Sequence, residues 1–341
     1  MAASTGISDG YPNEPTQKPE KETSAGMEPS FRVDTIQGSS KSKSSIEKVM
    51  SVIFTVCGLS AVVAVFGIAA YMVIAGTPAI REIGIAEFLF GTQWRPTAED
   101  PSFGILYIIL TSVVGTGLSV LLGVPVALMT AVFLAELAPK RLYQLVRPAV
   151  ELLAGIPSVI YGLLGSILLV PLMRRMESWI FAGSTTHQFT GGANLISAVL
   201  VLAIMILPTV INVSETSLRA VPREYREASL ALGATQMETI FKVTMPAAKS
   251  GVITGVVLGI GHAIGEAMAI MMVSGNVVNI PLPFNSVRFL TTGIVTEMSY
   301  SSGLHRQALF SIGLVLFVFI MVINILLGTV LKKGGDANGT K

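Results

Sequence analysis

Few residues of this 341-residue chain have the types and spacing to do chemistry, and they fall in two stretches. The first holds His262 and Glu266, four apart in an apolar run. Side chains at that spacing meet on a helix. They extend a file of small residues, because Gly255, Gly259, His262 and Glu266 recur by steps of four, three and four. Gly251, Gly255 and Gly259 at four-residue spacing let another helix approach closely. That face must look into protein or water rather than lipid. Ionisable groups at membrane depth are costly, so they fix an internal pair or line a path across the apolar layer. His262 and Glu266 are taken forward as path candidates. The second stretch is 217–246, whose chemistry is that of a docking surface. Elsewhere the inventory is thin. The three histidines lie far apart, and Cys57 is the single cysteine. Neither a metal-ligand spacing nor a disulfide framework follows from them. No Gly-x-x-x-x-Gly-Lys-Ser/Thr phosphate loop occurs, and no nucleophile–base set is visible. The chain is therefore read as no enzyme, with no metal and no cofactor.

The elements that must position these residues are membrane helices. Hydrophobic residues make up 51% of the chain and charged residues 13%, against about 25% charged in a soluble domain. The formal net charge of +2 offers no basic patch for nucleic acid. A spanning helix needs about 20 mostly apolar residues, and six stretches qualify: 49–74, 103–134, 150–172, 195–213, 251–273 and 309–331. The fold class expected is an all-α membrane protein of about six transmembrane helices. Residues 80–94 read as a short interfacial element ending at Trp94. Gly155 with Pro157, and Pro208, predict local breaks in the third and fourth spans. Arg147 and Glu151 are spaced for an interfacial salt bridge. The first 45 residues are polar, lack a signal-peptide core, and are expected to be a disordered cytoplasmic tail ahead of a membrane domain over 46–335. With the N-terminus inside, 17 Lys and Arg fall on the inner side and 6 on the outer. That bias puts both termini in the cytoplasm of a multi-pass plasma-membrane protein.

Segment 217–246 is then the longest cytoplasmic connection, and it is patterned. Pro222 opens a helix. Helix formers follow from Glu224 to Leu232, and Gly233 stops them. Met237, Ile240, Phe241 and Met245 recur at helical spacing, and Pro246 closes the segment. Two short helices about a glycine make a knob that a soluble partner can grip in a groove.

The segment EASLALGATQMETIFKVTMP, 227–246, resembles the coupling loop of ABC importer permeases: Glu-Ala-Ala, three residues, Gly, nine residues, then Ile-x-Leu-Pro. Glu227, Ala228, Gly233 and Pro246 match, while Ser229, Val243 and Met245 are mild departures. GIGHAIGEAMAIMMVSGN (259–276), FGTQWRP (90–96) and ELLAGIPSVIYG (151–162) resemble segments of phosphate permeases of the PstC type. The resemblance covers about residues 49–331. It implies the type I ABC importer permease class, with Glu227 through Gly233 seated in a cleft of an ATP-binding subunit. It also implies a second permease subunit, two ATP-binding subunits and an extracytoplasmic phosphate-binding protein as partners. One departure bears on substrate: His262 stands where the family carries arginine. Arginine is permanently charged and binds oxyanions in a fork, and histidine does neither at neutral pH. Sulfate, molybdate or another anion stays open as the substrate. An ATPase-independent secondary transporter is the reading from a different class; it predicts inverted repeats, which the sequence does not display.

Overall fold

The computed structural model describes residues 41–336. The tail expected over 1–45 thus lies outside the described residues up to residue 40. Contacts divide the chain into two units, Met1–Ser60 and Ala61–Lys341. The first contributes only the opening of helix α1 (Lys41–Ile83) to the described structure. Short α2 (Ile85–Phe90) and a two-stranded hairpin, β1 (Trp94–Arg95) on β2 (Ser102–Phe103), lead to α3 (Leu106–Val132). A wide i→i+5 turn over Phe133–Leu137 lengthens α3. Then come α4 (Lys140–Gly155), α5 (Ser158–Leu164), a second wide turn (Gly165–Leu169) and α6 (Val170–Ile180). Next are α7 (Leu195–Arg219), α8 (Arg223–Ala231), α9 (Gln236–Thr239), a third wide turn (Ile240–Thr244) and α10 (Met245–Ala247). The chain closes with α11 (Lys249–Gly265), α12 (Met268–Val273), α13 (Leu290–Glu297) and α14 (Gly303–Asp336).

Among the described residues, five helices are long and apolar enough to cross a membrane. A sixth span arises only if Gln236–Ala247 and Lys249–Gly265, bent by 72°, count as one. The expected continuous span over 251–273 is not realised. The 17 residues of α11 make about 25 Å of helix, short of the ~30 Å hydrocarbon core. The chain then breaks at Glu266 and Ala267 before α12.

Helix α7 is the centre of the second unit. Its apolar window is 61% buried, against at most 33% in the other spans. Small residues bring neighbours onto it. A Cβ at Gly123 of α3 would lie 2.8 Å from the Ala203 carbonyl, and Ser119 Oγ donates to the Val199 carbonyl at 3.1 Å. On the other side Gly251, Gly255 and Gly259 of α11 lie against Ser217, Ser214 and Val210 of α7. The glycine file is thus filled by a helix of the same chain.

Two further expectations need correcting. The third span does not begin at 150: α4 is a separate amphipathic helix, and the spanning helix is Ser158–Ile180. Ile156 and Pro157 are extended between them (ψ 125° and 140°), as Gly155 and Pro157 predict. Pro208, by contrast, sits inside a continuous α7. Close packing on α3 and α11 holds that helix despite the missing N–H.

Candidate functional site

The knob expected over 217–246 forms as a helix–glycine–helix unit. α8 ends at Leu232, and Gly233 follows with φ +90°, the left-handed geometry that glycine adopts without strain. Thr235 then caps α9 in a capping box: its hydroxyl accepts the Glu238 N–H at 3.3 Å, and Glu238 Oε2 accepts the Thr235 N–H at 3.1 Å. Those donors, the Thr235 backbone first and the Lys242 ammonium at 3.0 Å next, hold the Glu238 carboxyl down at about 2. Glu227, Ala228, Gly233 and Pro246 are all exposed. Around them the apolar side chains of Tyr225, Leu230, Leu232, Met237 and Phe241 are exposed too, Leu232 by 90%. The knob is anchored from behind. Arg226 donates to Glu136 Oε1 at 2.7 Å and to the Leu218 carbonyl at 2.8 Å, and Ser229 bonds Thr239 at 2.9 Å.

The His262–Glu266 pair does not form, because α11 ends between the two residues. Glu266 is extended (φ −72°, ψ 131°) and buried. Its Oε1 accepts the Ala269 N–H in the first turn of α12 at 2.9 Å, and its carbonyl accepts from Thr291 Oγ1 at 2.7 Å. The carboxylate therefore caps the broken half of the span. His262 is exposed. It borders a cavity of about 60 Å³ with Ser158, Tyr161 and Thr209. The two breaks converge here: α5 packs on α12 so closely that a Cβ at Gly162 would lie 2.8 Å from Ala269 Cα.

Sequence reasoning missed three buried carboxylates. Glu215 accepts from Arg147 Nη1 and, at 2.9 Å, from Arg219 Nε. The expected Arg147–Glu151 bridge is present at 2.7 Å, so Arg147 serves both acids. At the other end of the bundle, Glu297 accepts from Arg288 Nη1, from Trp94 Nε1 at 2.9 Å and shares a hydrogen bond with His305 Nε2 at 2.8 Å. These residues border a cavity of about 630 Å³. Glu177, wholly buried, accepts from the Thr190 N–H at 2.8 Å and the Gly192 N–H at 3.3 Å, and its Oε1 lies 2.9 Å from His187 Nε2. The signal for Glu215 was its Arg219 neighbour four residues on; ending the fourth span at 213 hid it.

The chain is thus a helical bundle with an exposed knob set about a left-handed glycine and with discontinuous helices. Residues 123–333 match the family described as "binding-protein-dependent transport system inner membrane component". The chain is 38% identical over 283 residues to the "probable ABC transporter permease protein YqgH" of Bacillus subtilis, covering 80% of this chain and 88% of that one. It is 35% identical over 251 residues to the "phosphate transport system permease protein PstC" of Pasteurella multocida, covering 69% and 76%. A bacterial alginate ABC transporter, solved in complex with its pentasaccharide-bound periplasmic protein, has a chain of the same fold. Its TM-score is 0.56 at 16% identity, over 83% of this chain and 94% of that one. This protein belongs to the binding-protein-dependent transport system inner membrane components, the permeases of ABC importers.

Proposed function

We propose that this chain is the permease that carries inorganic phosphate into the cytoplasm across the plasma membrane, with both termini inside. The observation that carries the substrate is similarity to proteins named as phosphate permeases, 35% identical over 69% of the chain. A second permease subunit, two ATP-binding subunits and an extracytoplasmic phosphate-binding protein complete the importer. ATP is hydrolysed on the separate chains. The exposed apolar knob over 217–246 supports its role as their docking site, with Glu227, Ala228, Gly233 and Pro246 at its surface and turns. The α4–α5 and α11–α12 breaks support a path past His262. Unpaired backbone at membrane depth is tolerated where it borders a cavity, and His262 there has no acidic partner among the described residues. Glu266 shapes that path by capping α12.

The test is uptake of radiolabelled phosphate by the reconstituted complex, competed with sulfate and molybdate. Phosphate alone should compete. Competition by sulfate at equal concentration would move the assignment to a broader anion importer. Glu227→Lys should leave the chain inserted and cut ATP-dependent uptake at least tenfold; normal uptake would remove 217–246 as the docking site.

A further inference from the structure

We propose that Glu215 is a positioning residue that transmits movement of the docking knob to the break between α4 and α5. The inference rests on the ATP-driven import reading above. The geometry begins at α8, where Arg226 ties the knob to Glu136 at the end of α3 and to the Leu218 carbonyl of α7. Next to Leu218 on α7, Arg219 donates to the Leu134 carbonyl at 2.8 Å and, one turn back, to Glu215 at 2.9 Å. Its guanidinium also lies 4.4 Å over the Tyr143 ring of α4. Glu215 then takes Arg147 of α4 on its other oxygen. The far end of α4 is the Gly155–Pro157 break, and just beyond it Ser158 and Tyr161 border the cavity with His262. Charged contacts thus link the knob to α3 and α7, and α7 to α4, whose helix ends at the break beside the cavity.

Helix α4 is built to be moved by that contact. Its one buried side chain is Val150, still 9% exposed. Extended residues bound it at both ends, Ala138 and Pro139 before it and Ile156 and Pro157 after it. Tyr143 and Val146, both partly buried, pack against the cluster around Val150, so the ion pair adds to a small apolar contact. Stability alone does not call for this arrangement, because apolar residues of similar volume replace a buried ion pair at little or no cost. The chemistry of the pair is also matched to two acids at once. Arg147 reaches Glu151 with Nε and Glu215 with Nη1, a fork that lysine cannot reproduce.

The experiment uses the complete complex in proteoliposomes. Phosphate uptake and ATP hydrolysis are read together, and a cysteine at Ser158→Cys, in a Cys57→Ser background, is labelled with and without ATP. The variants are Arg147→Met with Glu215→Leu, which keeps apolar packing, and Arg147→Lys, which keeps the charge. Both should hydrolyse ATP. The double variant should move at least tenfold less phosphate per ATP and Arg147→Lys about threefold less. The ATP dependence of labelling at position 158 should be lost in the first and reduced in the second. Glu215→Asp should restore most coupling. Either variant that assembles and keeps the wild-type ratio and the wild-type labelling response overturns the proposal. If the wild-type complex moves no phosphate but its labelling responds to ATP, the substrate reading fails alone, and the labelling arm still decides the role of Glu215.

Discussion

Glu215 and Glu297 are both buried and both paired with arginine, yet they sit in different company. Glu297 bonds Trp94, a member of a packed cluster with Phe88, Phe103, Ile105, Leu290 and Leu309. Its donors come from the hairpin, from the segment before α13 and from α14. Glu215 joins α7 to a helix with one buried side chain, Val150. At one end of the bundle the carboxylate finishes a core. At the other it substitutes for one. The same ion pair therefore makes a rigid end at Glu297 and a movable one at Glu215.

The sharpest way to break this contrast uses two glycines of equal φ. Gly192 and Gly233 both have φ +90°. At Gly192 a Cβ would lie 2.0 Å from the Val170 carbonyl, in backbone that cannot yield; at Gly233 nothing lies within 4 Å. Gly192→Ala should cost more than about 4 kcal/mol and abolish recovery of folded chain from membranes. Gly233→Ala should cost only the left-handed strain, about 1–2 kcal/mol, with normal recovery. Equal recovery of the two would show that the Gly192 end is not rigid.

A smaller effect is expected at Glu297 itself. Glu297→Gln leaves the Arg288 guanidinium without its carboxylate and should cost about 3–5 kcal/mol, read as a lower midpoint of thermal unfolding in detergent. Uptake per assembled complex should stay within twofold. A tenfold loss per complex would make that end part of the moving machinery too.

The smallest effect should come from Glu266→Gln. Glutamine keeps a carbonyl oxygen to accept the Ala269 N–H, so the stability change should stay below about 1 kcal/mol. Glu266→Ala, which loses the cap, should cost about 1 kcal/mol. Complex yield and uptake measured together separate capping from charge. Uptake lost in Glu266→Gln at full yield would show that the charge, rather than the cap, is required.

Hydropathy made five spans legible, because each is a long apolar helix whose composition needs no tertiary information. Gly155 and Pro157 announced the α4–α5 break for a local reason: both residues disfavour helix. The break at Glu266 has a weaker marker, Gly265 without a proline after it. Glutamate and alanine are helix formers; the local Ala269 N–H and the more distant Thr291 hydroxyl hold the extended backbone at Glu266. The knob was legible down to its left-handed glycine, since capping signals act within a few residues. The buried carboxylates were not. Glu215 and Arg147 are 68 residues apart, and Glu297 and Trp94 are 203 apart. Pairing over such distances is fixed by packing, which single-sequence periodicity does not encode.

The exposed side of the knob also bears on how the cell keeps its subunits in proportion. Tyr225, Leu230, Leu232, Met237 and Phe241 stand in water on any copy made without its companions. Contiguous apolar surface of this kind is what aggregation and quality control act upon. Surplus chains should have a shorter half-life than assembled ones in a pulse–chase experiment, and co-expression of the ATP-binding chains should lengthen it. On the docking role proposed above, the same surface marks the orphan for removal, and stoichiometry is enforced after synthesis rather than during it.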